Sequence, residues 1–257
     1  MYQDPELLKF LGGLTVTLDP VARFKAAMGV EPRRFQRELL TSTSPRVICM
    51  ASRQLGKSTA IACIAWDAFL RGLTVVVIAP HDKQAKEFLL RVKDFRDADP
   101  FAPRSIQFLK TEVSAANHKG RILAMPATDS ARGFTADVLV LDEAALLQDD
   151  EIAAVTPMRN KVTGRLIVTS TPMWKEGDFY RWWTQPNNFQ KILGHYRDVD
   201  DPQLQAAIEE ERVITPDQRF AREYECIFSG GGDPLISHAT LNRAMDNKEH
   251  ALCLNLS

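Results

Sequence analysis

A chain of 257 residues can bury one large core or two modest ones, which excludes a miniprotein stapled by disulfides. Hydrophobic residues make up 45% and charged residues 25%, near the globular average, so collagen-like, fibrous and wholly disordered readings fall away. With 32 Lys+Arg against 33 Asp+Glu the net charge is −1, so a contact with nucleic acid has to come from a local patch rather than the overall field.

In chain order, the first short apolar run is Val47–Met50, followed by a stretch from Lys57 to Arg71 in which Ile61, Ile64, Ala65, Ala68 and Phe69 share one helical stripe. Gly72 supplies a stop for that helix. Thr74–Ala79 reads as a second strand and His81 to Phe95 as a second helix, with Phe88, Leu89 and Val92 inward. Three further strands follow: Arg121–Met125, Val138–Leu141 and Leu166–Thr169. Continuous Val/Ile/Leu runs without polar alternation predict strands covered on both faces, the usual state in a parallel sheet between helices. The expected fold class is therefore α/β, a mainly parallel, doubly wound sheet flanked by helices.

After Pro172 the texture changes. Trp174, Tyr180, Trp182, Trp183 and Phe189 cluster, and a charged helical segment follows around Gln203–Val213, predicting a small C-terminal, lid-like subdomain beside the sheet. Ser229-Gly230-Gly231-Gly232-Asp233-Pro234 is the best linker candidate. The expected division is residues 1–32 as an N-terminal segment, 33–172 as the core, 173–229 as the small subdomain and 230–257 as a linker.

No run approaches the roughly 20 apolar residues that span a bilayer, and Met1 to Lys9 lacks a basic segment followed by an apolar one. Cys49, Cys63, Cys226 and Cys253 form no CxxC pair, and two of them lie inside apolar runs. A reducing cytoplasm, without membrane contact, is the expected setting.

Directly after the first strand comes Ala51-Ser52-Arg53-Gln54-Leu55-Gly56-Lys57-Ser58-Thr59, leading into a helix. This strand, loop and helix order is the context of a phosphate-binding loop, in which backbone N–H groups and the helix N-terminus cradle phosphates. Lys57 is placed to reach the β and γ oxygens and Ser58 Oγ to take one Mg²⁺ position. Alanine stands at position 51, where such a loop begins with glycine, so the chain must enter by an extended route. The competing reading is a solvated basic turn capped by Ser58.

The fourth strand closes on Asp142-Glu143-Ala144-Ala145. An acid at a strand end suits metal binding by Asp142, directly or through water, and polarisation of an attacking water by Glu143, expected on the other side of the strand end. Alternatively, both acids begin the next helix, where its dipole favours them.

Together, Ser52 to Ser58, then Val140-Leu141-Asp142-Glu143-Ala144-Ala145, then Thr169-Ser170-Thr171-Pro172 resemble, in order, the ATPase half of the large terminase subunit of tailed bacteriophages, over approximately Arg33 to Phe228. The resemblance implies a P-loop NTPase fold and an ATP-hydrolysing, Mg²⁺-dependent motor that drives double-stranded DNA into a procapsid. It further implies a portal protein and a small terminase subunit as partners, and a homo-oligomeric ring, a pentamer by family expectation, at the portal vertex in the host cytoplasm; an isolated domain would be monomeric. Position by position, Gln36 in Pro32-Arg33-Arg34-Phe35-Gln36 matches the adenine-recognising element, bonding the base through both amide groups. Arg53 matches the loop arginine at the γ-phosphate, Thr171 lies in the coupling motif, and Arg132 of Ser130-Ala131-Arg132-Gly133 resembles an arginine offered to a neighbouring subunit's nucleotide.

Full-length members carry a nuclease with clustered carboxylates, whereas beyond Gly232 the acids here are Asp233, Asp246 and Glu249, so nuclease activity is not expected in this chain. Basic residues Lys83, Lys86, Arg91, Lys93 and Arg96, with Lys110, Lys119 and Arg121, form a candidate DNA face, and Trp182-Trp183 a candidate base-stacking pair. In both cases a solvated helix face and core packing are the stronger readings. Two rivals stand beside the packaging motor: a helicase-like DNA-dependent ATPase, and a nucleotide-gated assembly module with little turnover alone. A GTPase is disfavoured because neither Asn160-Lys161 nor Asn247-Lys248 is followed by the guanine-reading Asp.

Overall fold

Helices α1 (Pro20–Met28) and α2 (Arg34–Thr41) lead into the first strand in a computed structural model that describes residues 18–100, 102–103, 105–127 and 133–230. Eight strands form one sheet: β1 (Arg46–Ala51), β2 (Thr74–Ala79), β3 (Ile106–Phe108), β4 (Glu112–Ala115), β5 (Arg121–Pro126), β6 (Val138–Asp142), β7 (Arg165–Ser170) and β8 (Gln190–Gly194). Their spatial order is β3-β4-β5-β2-β6-β7-β1-β8. From β5 to β8 all neighbours run parallel, and the β3–β4 and β4–β5 pairs at the other edge are antiparallel.

Strand periodicity divides the core in two. Val47, Cys49, Val75, Val77, Val138 and Val140 point to one face, together with buried residues of α3 (Lys57–Leu70) and α4 (Asp82–Ala98). Their sequence neighbours Ile48, Met50, Val76, Ile78, Leu139 and Leu141 point to the other, against Ile152 and Val155 of α5 (Asp149–Val155) and Phe179 of α6 (Gly177–Thr184). Both sets are buried, which is why these strands read as unbroken apolar runs. The described cysteines Cys49, Cys63 and Cys226 are free and buried, and burial pushes the Cys49 and Cys63 thiols up to about 12. Cys253 lies outside the described residues.

Of the eight strands, β1, β2, β5, β6 and β7 match the five apolar runs, while β3, β4 and β8 have no such run. In β8 the last four residues alternate exposed and buried, as an outer strand does, so unbroken hydrophobicity is not its signature. The segment after Pro172 thus adds a strand to the central sheet, parallel to β1, before continuing into α7 (Pro202–Ile214) and α8 (Asp217–Glu223). Its aromatic residues pack inward: Trp182 stacks on Phe189 at 5.4 Å, and both Trp182 and Trp183 adjoin the second core. The proposed linker runs past Gly230 into residues outside those described.

Gly194 closes β8 where only a hydrogen fits, because a Cβ there would lie 2.7 Å from the Phe35 ring and 2.8 Å from the Ala51 Cβ. Gly194→Ala is expected to lower stability by about 1–3 kcal/mol through overpacking. In urea titration its unfolding midpoint should fall with an unchanged slope; a midpoint equal to that of the parent protein would contradict this packing.

Candidate active site

Parallel strands bring their C-terminal ends to one edge, where the loops after β1, β6 and β7 meet. The register sets Thr169 of β7 opposite Cys49 of β1 on one side and Asp142 of β6 on the other. Hence the loop, the acids and the Ser/Thr motif, far apart in sequence, are spatial neighbours.

Ala51 is the last residue of β1, so the loop does leave in extended form. It then turns through two left-handed residues, Gln54 at φ 63° and Gly56 at φ 84°. Glycine is required at the second for two reasons: the dihedral, and a Cβ position only 2.7 Å from Gln36 Nε2. Between them Leu55 is fully buried and anchors the loop in the core. Lys57 opens α3, whose first-turn N–H groups face the crevice as helix geometry dictates.

Within the crevice the charges are close. Lys57 is 6% exposed; its Nζ donates to the Ala51 carbonyl at 3.1 Å and stands 4.0 Å from Glu143 Oε1. Ser58 Oγ donates to Asp142 Oδ2 at 3.3 Å, and Thr169 Oγ1 donates to Asp142 Oδ1 at 2.8 Å. Ser170 Oγ donates to Glu143 Oε2 at 3.4 Å and accepts the Ala145 N–H at 3.2 Å.

Glu143 does not lie on the far side of the strand end, as alternation predicted. Its backbone is left-handed (φ 50°, ψ 46°), which breaks the alternation and brings its carboxylate to Lys57 while Asp142 meets Ser58. A non-glycine residue pays about 1–2 kcal/mol for that conformation.

Burial raises the Asp142 carboxyl above its ordinary value, and the neighbouring Glu143 charge adds to this. Hydrogen bonds from Thr169 and Ser58 and the charge of Lys57 act in the opposite sense without overcoming it. A carboxylate and a hydroxyl are a suitable protein share for Mg²⁺, which keeps its other positions for phosphate oxygens and water. The two acids against one ammonium also leave the crevice in need of a cation. Among the described residues no group of three or more His, Cys, Asp or Glu could form an all-protein metal cage.

A cleft of about 760 Å³ opens over these residues, bordered by the loop, by Gln84 and Arg91 of α4, by Thr171 and Met173, and by Arg222 and Glu223. A second cavity of about 670 Å³ lies beyond Gly56 and Thr59, lined by Phe24, Pro32, Arg33, Gln36 and Val199 among others. Lys57, Ser58, Asp142, Glu143, Thr59 and Thr171 thus come together as the sequence suggested.

Other expected site residues are used differently. Ser52 is fully buried and turned away: its N–H donates to the Gly194 carbonyl at 2.8 Å, its Oγ donates to the Tyr224 carbonyl and accepts the Tyr196 N–H at 3.1 Å. Arg53 donates its backbone N–H to the Glu223 carbonyl and its guanidinium to Glu223 Oε2 at 2.7 Å, an ion pair that raises its pKa. Although burial alone would raise Glu223, hydrogen bonds from Arg219 and Arg53 hold it below the ordinary carboxylate value. Gln36 uses both ends of its amide inside the protein, Oε1 accepting the Arg33 N–H at 2.8 Å and Nε2 donating to the Leu55 and Gly56 carbonyls. It borders the second cavity as part of the loop's support rather than with a free amide. Arg132 lies outside the described residues.

Thr169, Ser170, Gln84, Arg222 and Glu223 were not singled out from sequence as site residues. The first two belong to a recognised motif, but only pairing register shows that their hydroxyls reach the acids. The basic α4 face is largely self-neutralised: Lys83 pairs with Glu87 at 4.0 Å, Lys86 with Asp82, and Arg96 with Asp97 at 2.8 Å, while Arg91 turns to the cleft. Arg121 is held by both oxygens of Glu112.

A glycine–lysine–serine loop between a buried strand and a helix, facing strand-end acids across a mainly parallel sheet, defines a P-loop α/β domain. The chain belongs to the family described as the N-terminal part of the terminase large subunit of T4likevirus type, whose model matches residues 48–243. The large terminase subunit of Thermus virus P23-45 is 26% identical over 262 residues, covering 86% of this chain and 53% of that protein. This chain therefore spans about half the length of the curated relatives it matches. By structure, the large terminase ATPase domain of Thermus phage P74-26 aligns with a TM-score of 0.70 at 24% identity, covering 82% of this chain and 100% of that one. The large terminase of bacteriophage D6E in complex with ADP aligns at 0.63 and 12% identity, over 76% and 53%.

The raised Asp142 carboxyl has a consequence for stability. Below the unfolded value near about 4 both states are protonated, and as pH rises through the folded value the native state loses this advantage. Asp142→Asn should therefore be the more stable protein at neutral pH and should flatten the fall of stability as pH rises above the ordinary carboxylate range. Urea midpoints across pH test this; a less stable Asn variant at pH 7 would refute the buried-charge assignment.

Proposed function

We propose that this chain is the ATP-hydrolysing motor part of a DNA-packaging terminase, coupling hydrolysis to translocation of double-stranded DNA into a procapsid. One observation carries the reading: Lys57 and Glu143 stand 4.0 Å apart in one crevice with the Ser58–Asp142 pair beside them. Family membership and the ADP bound by the D6E large terminase support a nucleotide as the occupant.

In this reading the loop N–H groups and the start of α3 hold the phosphate chain, and Lys57 neutralises the oxygens between the β and γ positions. Ser58 and Asp142 would hold Mg²⁺, which when bound neutralises charge on the β and γ oxygens. Glu143 orients a water in line with the γ-phosphorus; the new O–P bond forms as the bridging P–O bond breaks, ADP carries off the bond's electron pair, and the water's proton passes to the carboxylate or to phosphate. Ser170 steadies Glu143, Thr169 steadies Asp142, and Arg53 joins the phosphates on release from Glu223. The adenine fits the second cavity, beside Gln36.

The domain division proposed from sequence, Thr171 as the coupling residue and Arg132 as an arginine offered to a neighbouring subunit belong to the same proposal. So do the portal protein, the small terminase subunit, a homo-oligomeric ring and action at the portal vertex in the host cytoplasm. No helix among the described residues is long and apolar enough to cross a membrane.

Glu143→Gln should lower steady-state ATP turnover by about 10²-fold or more with binding retained, the scale expected when a water-activating group is lost. Lys57→Ala should instead weaken nucleotide binding itself. Rates with and without double-stranded DNA, alongside equilibrium titrations of both variants, test the proposal; unchanged turnover in Glu143→Gln would overturn it.

A further inference from the structure

Five arginines lie between residues 173 and 230, and four of them pair with carboxylates: Arg181 with Asp149 and Asp178, Arg197 and Arg212 with Glu209 and Glu225, and Arg219 with Glu223. Arg222, in the last turn of α8, has no carboxylate partner among the described residues. Its guanidinium lies 4.3 Å over the Trp174 ring, which fixes its plane, and its Nε and one terminal nitrogen are buried without an acceptor. Arg222 is half-buried, and two donors withdrawn from water without an acceptor are an unfavourable arrangement in the bare protein, which an anion beside the guanidinium offsets. The next residue cannot serve, because the Glu223 carboxylate is turned to Arg53 and Arg219.

Arg222 borders the same cleft as Lys57 and Glu143, from the wall that also bears Thr171 and Met173. Four cations line that cleft, Arg53, Lys57, Arg91 and Arg222, against the two carboxylates Glu143 and Glu223. A ligand with several negative charges is the complementary one. The inner phosphates of a bound chain belong to the loop and the α3 N-terminus, so the group left for the opposite wall is the outermost, doubly charged one.

We propose that Arg222 grips the terminal phosphate of a nucleoside triphosphate from the C-terminal side of the cleft, so that a single chain distinguishes tri- from diphosphate with its own residue. The proposal rests on the nucleotide reading above and adds a phosphate-binding residue to it. Since α8 also holds Arg53 through Glu223, filling or vacating the terminal phosphate position is felt directly by the C-terminal segment.

The test is an equilibrium titration of the whole chain with ATPγS and with ADP, each in Mg²⁺. Arg222→Gln should weaken ATPγS binding by about tenfold or more while ADP affinity stays within about twofold, the pattern of a charge-assisted bond made to one phosphate only. Arg222→Lys, which keeps the charge and the stem without the planar fork, should keep ADP affinity and recover part of the preference. Near-UV circular dichroism reports whether each variant is folded. If the glutamine variant does not fold, the lysine variant carries the test, and an ATPγS to ADP ratio equal to that of the parent protein overturns the proposal. Equal weakening of both nucleotides in a folded variant overturns it as well. Failure of the underlying reading looks different: the parent protein would bind neither nucleotide, or Lys57→Ala would leave both affinities unchanged.

Discussion

Two carboxylates on consecutive residues, one of them buried, face a single ammonium at the end of the sheet, and most of the local architecture serves that imbalance. Asp142 is ringed by hydroxyls from two other elements, Ser58 of α3 and Thr169 of β7. Glu143 is turned toward Lys57 by a backbone conformation that its residue type disfavours. Such an excess of negative charge away from water is tolerated only with charge-assisted hydrogen bonds around it, and it is relieved when a cation enters. Clustered, partly buried charges of this kind are a common pattern at functional sites.

Support for the phosphate loop comes from three sides. Gln36 bonds its last carbonyls from α2, Leu55 anchors it in the core, and Ser52 and Arg53 are tied to β8, α8 and the residue after it. The first half of the loop is therefore scaffold, and the second half, from Gly56 onward, presents the chemistry. That division explains why residues of one contiguous motif have such different surroundings. It also makes the loop and the C-terminal segment one mechanical unit, since a shift of α8 pulls on Arg53 through both its backbone and its side chain.

Much of this was legible in the residues. Unbroken Val/Ile/Leu runs located the parallel strands because both faces are covered, and Gly56-Lys57-Ser58 and Asp142-Glu143 announced themselves by chemistry at strand ends. Outer strands left no such trace: β3, β4 and β8 are short or alternating, and their identity depends on what they pair with. Among site residues the limit was orientation. Ser52 and Gln36 stand at the positions expected of them, yet their polar groups answer to Tyr224, Gly194, Arg33 and the loop carbonyls, which no local pattern reveals. The left-handed turn at Glu143 was equally invisible, because glutamate carries no signal for it.

β8 has a bearing on how the protein comes into being. Of the two strands that flank β1, β8 is made about 140 residues later, and it brings the carbonyl of Gly194 that receives Ser52. During synthesis the glycine–lysine–serine segment therefore emerges long before its final neighbour, with β1 left as an open edge in the meantime. Pairing β8 with β1 spans the longest sequence separation of any neighbouring strands in the sheet, so the support that Ser52 takes from Gly194 carries one of the larger loop-closure costs in the topology.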